Sequence, residues 1–114
     1  MNFNIIVLKT TDDNHRILSL TEIQETRELG TDNDVQDILS SSFKGYSNGL
    51  WKSQNDYLVE FSLPKGRATS LHITIHFSGS SVMSLKEEFL PLLKMMCYPN
   101  GWLAFAVSDN SRLT

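Results

Sequence analysis

The order of hydrophobic patterns predicts an α+β domain: an antiparallel sheet with helices on one face, in a ferredoxin-like, split β-α-β arrangement. Three observations predict it. Tyr57–Leu63 and Ser70–Phe77 alternate apolar and polar residues on either side of Pro64-Lys65-Gly66, as the strands of a hairpin do. Two more apolar runs, Phe3–Lys9 and Trp102–Val107, lie near the two ends of the chain. Between these runs are segments of helical spacing, each preceded by a capping signal. The resulting order is strand, two helices, hairpin, helix, strand, which suits one layer of helices on one sheet.

The first strand, Phe3 to Lys9 (FNIIVLK), is apolar on both sides, which predicts a central position with both faces covered. Asp12-Asp13-Asn14 is a turn, and Arg16–Ser19 a short strand or extended lead-in. Ser19 and Glu22 have capping-box spacing and predict a short helix through Leu29, stopped by Gly30. Thr31–Asn33 offers a second cap. Val35, Ile38, Leu39 and Phe43 then recur at helical spacing, predicting a helix over Asp34–Phe43.

Lys44–Asn55, rich in Gly, Ser and Asn, reads as a loop with one extended piece at Leu50-Trp51. In the hairpin, Tyr57, Val59, Phe61 and Leu63 should face the core with Leu71, Ile73, Ile75 and Phe77. Leu58, Glu60 and Ser62 should form the open face with His72, Thr74 and His76. Ser84 and Glu87 form another capping box before a helix with the apolar stripe Leu85, Phe89, Leu92, Leu93 and Met96. Pro99-Asn100-Gly101 ends that helix, Trp102–Val107 is the last strand, and Ser108–Thr114 is expected to fray.

At 114 residues, 40% hydrophobic and 20% charged, the chain is expected to fold as a single domain with one core. Its one cysteine, Cys97, excludes an intrachain disulfide and suits a reducing compartment. The N-terminus has no basic stretch ahead of an apolar one, and no run is long enough to span a membrane, so a cytoplasmic protein is expected.

Charge is unevenly distributed. Asp12, Asp13, Glu22, Glu25, Glu28, Asp32, Asp34 and Asp37 are opposed only by Arg16 and Arg27, so Asp12–Asp37 carries −6. The rest of the chain carries +3. Binding to nucleic acid requires cations that displace condensed counterions, and the acidic half argues against it. A basic protein partner would be steered toward it. These eight acids are therefore the candidate partner-binding residues, together with Trp51, a large aromatic in a polar loop and so a candidate interface anchor.

No catalytic motif accompanies them, and neither a cofactor nor a metal is expected. On a strand, His72 and His76 would lie about 13 Å apart, too far to share an ion. Cys97 follows Met95-Met96 in an apolar helix, where a thiol behaves as a small hydrophobe. Glu87 and Glu88 point about 100° apart on a helix and do not converge. Gly66, Gly79 and Gly101 are isolated turn glycines, and none opens a phosphate-binding loop.

Leu71–His76 (LHITIH), a helix, and then Asn100-Gly101-Trp102-Leu103-Ala104-Phe105 follow one another over about the last forty residues. This part resembles the tail of small bacterial immunity proteins, which neutralise contact-dependent and other polymorphic toxins. The resemblance assigns no role to individual residues. It implies an inhibitor, not an enzyme, that binds a cognate toxin, often a basic nuclease domain, with no direct contact to nucleic acid or membrane, as a monomer or homodimer. The alternative from the residues themselves is a small-molecule-binding or regulatory domain that dimerises through its open sheet face.

Overall fold

A computed structural model describes residues 2–10, 19–23, 25–53, 57–76 and 85–114. β1 (Asn2–Thr10) is an interior strand of the sheet, paired along both edges. It pairs antiparallel with β7 (Ser70–His76) along one edge. Its other edge is shared lengthwise by β8 (Leu103–Ala106) and β2 (Thr26–Arg27). Beyond β7 lie β5 (Leu58–Ser62) and β4 (Leu50–Lys52), again antiparallel. Because β7 opposes both of its neighbours, β1 and β5 run parallel, and α1 (Asp32–Ser42) lies between them in sequence. A small second ladder joins β3 (Gly30–Thr31) to β6 (Arg67–Ala68). The last helix, α2 (Leu90–Asn100), follows a wide turn at Leu85–Phe89 and leads into β8.

The alternation expected of the hairpin sorts the two faces. Val59 sits opposite Ile75, and Phe61 opposite Ile73, which in turn faces Ile5. These side chains join Val35 and Leu39 of α1 and Leu93, Met96 and Cys97 of α2 in one buried cluster, so both helices cover the same face. Phe43 forms its aromatic centre, with ring centroids 5.2–5.5 Å from those of Trp51, Phe61 and Phe89. On the reverse face Leu103 and Phe105 pack with Ile6, Leu20 and Ile23 in a second, smaller cluster. The two-sided apolarity of the first strand is thus used on both sides.

Local signals account for the helix ends. The Thr31 hydroxyl accepts from the Asp34 amide, and the Asp34 carboxylate accepts from the Thr31 amide. This box starts α1 two residues before the expected Asp34. Gly101 closes α2 in the left-handed conformation, φ 67°, its amide donating to the Tyr98 carbonyl. Asn48 and Gly49, both at positive φ, form the tight turn between Ser47 and Leu50 that feeds β4.

Three expectations need correction. The helix expected from Glu22 to Leu29 is a single 3-10 turn, Leu20–Glu22, followed by extended chain, β2 and β3. Its apolar residues serve opposite sides of the sheet: Leu20 and Ile23 join the smaller cluster, Leu29 the main core. One helix cannot face both, whereas an extended segment crossing the sheet end can. Its backbone is satisfied by β1, by Leu29 N–H to the Ala68 carbonyl and by Leu20 N–H to the Asn110 carbonyl.

Residues 108–114, expected to fray, instead fold back along β8. Ala106 N–H donates to the Ser111 carbonyl and Leu113 N–H to the Ala104 carbonyl, and Thr114 is buried. The third correction concerns Trp51, which is 6% exposed and belongs to the core. The Arg16–Ser19 lead-in and the Ser84 cap lie largely outside the described residues, as do Asp12, Asp13, Phe77 and Gly79.

Candidate protein-binding surface

The acidic segment reaches the surface by several routes. Glu25 and Glu28 are exposed on the chain flanking β2, and Glu28 lies 3.3 Å from Arg67 of β6. Both partners of that pair are solvated, so it contributes about 0–1 kcal/mol. Asp32 and Asp34 occupy the first turn of α1, where a carboxylate offsets the positive end of the helix dipole. Asp34 is engaged in the capping box, and Asp32 accepts from the Asn33 amide. Asp37 lies one turn further on, exposed, beyond the reach of either role. For Glu22 the backbone lies in the 3-10 turn, and its side chain is outside the described set.

Trp51 does not contribute to this surface. Its indole N–H donates to the Lys44 carbonyl at 3.0 Å, and its ring packs at a tilt into the Phe43 cluster, so the aromatic in a polar loop is the inward side of an edge strand.

Two residues that sequence spacing did not single out are the most exposed large apolar side chains among the described residues. Met95 is 72% exposed and Tyr98 63%. Both lie off the stripe of α2 that buries Leu93, Met96 and Cys97. The signal for them was an apolar excess: α2 carries more hydrophobic residues than one buried face can use. Beside Met95, a groove of about 320 Å³ runs between the helices, with Asp37 and Ile38 on one wall and Met96 and Pro99 on the other. A second depression, about 360 Å³ at Gln36, Tyr46 and Phe61, is lined by no charged group among the described residues.

The histidines, Cys97 and the paired glutamates have the following surroundings. His76 has Nδ1 2.9 Å from Asn2 Oδ1 and Nε2 2.5 Å from Glu60 Oε1, and Thr74 donates to Asn4 at 3.0 Å. His72 lies across from Ser62 on the same open face. Among the described residues no three His, Cys, Asp or Glu side chains gather in a way that could hold a metal ion. Cys97 is fully buried; burial pushes its thiol up to about 12, against an opposing hydrogen bond from Thr114. Glu87 lies in the wide turn, and Glu88 instead accepts from the hydroxyls of Ser53 and Tyr57. Among the described residues no helix is long and apolar enough to cross a membrane.

Comparison with protein-family models, with curated proteins and with solved structures gives no match for this chain.

Proposed function

We propose that the chain is a cytoplasmic inhibitor of the immunity type, neutralising a cognate toxin by presenting an acidic surface to its basic site. The observation that carries this reading is the orientation of α1. It turns Val35 and Leu39 into the core and leaves Asp37 exposed past the turn where its own helix dipole would use a carboxylate. Glu25 and Glu28 add exposed charge on the strand segment that leads into α1. Such a field steers a basic partner and suppresses an acidic one. Inhibition of this kind works by occupying a site, so it requires complementarity and no reacting group.

The test is co-expression with the protein encoded directly upstream. The reading expects growth of a sensitive host to be protected by this chain. It expects the Glu25→Lys, Asp37→Lys variant, which leaves the Thr31–Asp34 box intact, to lose protection at an unchanged melting temperature. Full protection by that variant, or an upstream product that is harmless, would overturn it.

A second reading is favoured by Leu50 and Leu58, exposed as diagonal neighbours on the open sheet face. Under it, two copies pair through that face to form a regulatory or small-molecule-binding dimer. Sedimentation that stays monomeric at high micromolar concentration would remove this reading. A dimer dispersed by Leu58→Arg would favour it.

A further inference from the structure

The open face of the sheet carries a charge pattern set by the register of its strands. On β4 and β5, Leu50 lies opposite Glu60 and Lys52 opposite Leu58, while Trp51 and Val59 between them turn into the core. Phe61 N–H donates to the Gly49 carbonyl and Ser53 N–H to the Tyr57 carbonyl. The two outward pairs therefore fall between hydrogen-bonded pairs, where side chains approach most closely. The four residues form a square with leucine at both ends of one diagonal and opposite charges at the ends of the other. Leu50 is 44% exposed and Leu58 36%. The Lys52 side chain has no ion pair or hydrogen bond among the described residues. Glu60 turns Oε1 toward His76 and leaves Oε2 unpartnered among them. The square carries no net charge.

We infer that this square is a self-complementary contact at which two copies of the chain pair about a two-fold axis along the Leu50–Leu58 diagonal. The inference rests on the reading in which the open sheet face dimerises, and it adds the orientation and the charges that select a second copy. A two-fold axis lying in the interface sets each residue over the one mirrored across that axis. An axis along the strands would set Leu50 over the partner's Glu60, and one across them over the partner's Lys52. The other diagonal would set each charge over its own copy. Only the leucine diagonal sets leucine on leucine and brings Lys52 to the partner's Glu60 on both sides. Facing sheets lie about 10 Å apart, which two leucines span end to end and a lysine and a glutamate span together. With about 3.4 Å per residue and about 4.8 Å between strands, the diagonal lies about 35° from the strand direction. The two sets of strands then cross at about 70°, near the orthogonal class of sheet packing. Enclosed beside the leucines and neutral as a set, the ion pairs are little screened by salt. A patch of this size is small against the roughly 1,200 Å² of a stable interface, so the pairing is weak, in the high-micromolar range.

Sedimentation equilibrium carried to millimolar concentration is the test. The parent should dimerise in the high-micromolar range. Lys52→Glu and Glu60→Lys should each weaken association about ten-fold or more, because like charges then face each other across the axis. An equimolar mixture of the two variants should recover the parent affinity, since every charge again meets its opposite; recovery also verifies that both are folded. Lys52→Glu removes no side-chain bond among the described residues, so it decides alone if Glu60→Lys loses stability with its His76 contact. Parent-like dimerisation of Lys52→Glu, or a mixture of folded variants that stays monomeric, would overturn the inference. Dispersal by Leu58→Arg in that event would keep the sheet-face dimer reading. A parent that is monomeric at millimolar concentration would overturn both.

Discussion

Glu88 accepts hydrogen bonds from the hydroxyls of Ser53 and Tyr57, which ties the β4–β5 connection to the start of the last helical segment. Tyr57 is 2% exposed, so removing its acceptor strands a buried O–H. Glu88→Ala should therefore cost about 2 kcal/mol in urea unfolding, and Glu88→Gln, which keeps an oxygen in place, clearly less. Tyr57 itself is held far above the ordinary phenol range, first by burial and then by Glu88, so it stays a donor wherever the protein is folded.

Cys97 behaves in the same direction. Its thiol is raised in the folded state to about 12, so its contribution is intact below the ordinary thiol pKa. As pH climbs from that value toward about 12 the unfolded chain ionises first, and stability should fall. Unfolding midpoints measured across that window should show the slope in the parent and a smaller one in Cys97→Ala. The native thiol should also resist a disulfide reagent near pH 8 and react fully in urea.

Among the elements, the returning tail has the clearest consequences. Residues 108–114 add backbone hydrogen bonds to β8 and bring Thr114 Oγ1 to the Ala104 amide at 3.1 Å, beside Cys97. Deleting residues 108–114 should lower the melting temperature and make Cys97 reactive in the otherwise folded protein; a deletion neutral in both respects would show that the tail is dispensable. Asp109 anchors the turn by accepting from the hydroxyl and the amide of Ser111, bonds that hold its carboxyl below the ordinary range. That contribution is present above the ordinary carboxylate pKa and is lost as pH falls through the lowered one. The Ser111 amide resonance should report that loss on acidification.

For the whole molecule, the helical layer and the sheet meet at Phe43. It is fully buried at the end of α1, against Trp51 of β4, Phe61 of β5 and Phe89 of the wide turn. Phe43→Ala should cost about 3–5 kcal/mol, close to the whole stability of many small domains. A loss under 1 kcal/mol in denaturant titration would contradict this account of the core. The same layering divides the surface: the helical side carries the acids of α1 and the apolar excess of α2, while the open sheet face pairs Glu60 with His76. On the proposed inhibitor reading, partner association through the helical side should weaken with salt, whereas on the alternative, self-association through the sheet face should be little affected.

Hydrophobic period and local capping and turn signals determined the antiparallel hairpin, the faces of Tyr57–Leu63 and Leu71–His76, α1 with a cap within Thr31–Asn33, and the last helix with its stop at Pro99-Asn100-Gly101. Each of these follows from local chemistry: a side-chain alternation, a hydroxyl three residues before an acid, a glycine free to turn left-handed. Only the tertiary structure decided that Leu20 and Ile23 go to one side of the sheet and Leu29 to the other, which rules out the helix that Ser19 and Glu22 predicted. It also decided that the polar tail pairs with β8, and that Trp51 points inward from an edge strand. The acidic run Asp12–Asp37 was legible in the order of residues, because charge adds up along a chain. The groove was not, because it exists only where the ends of two helices from distant segments lie side by side, and the pattern of either helix alone does not specify its neighbour.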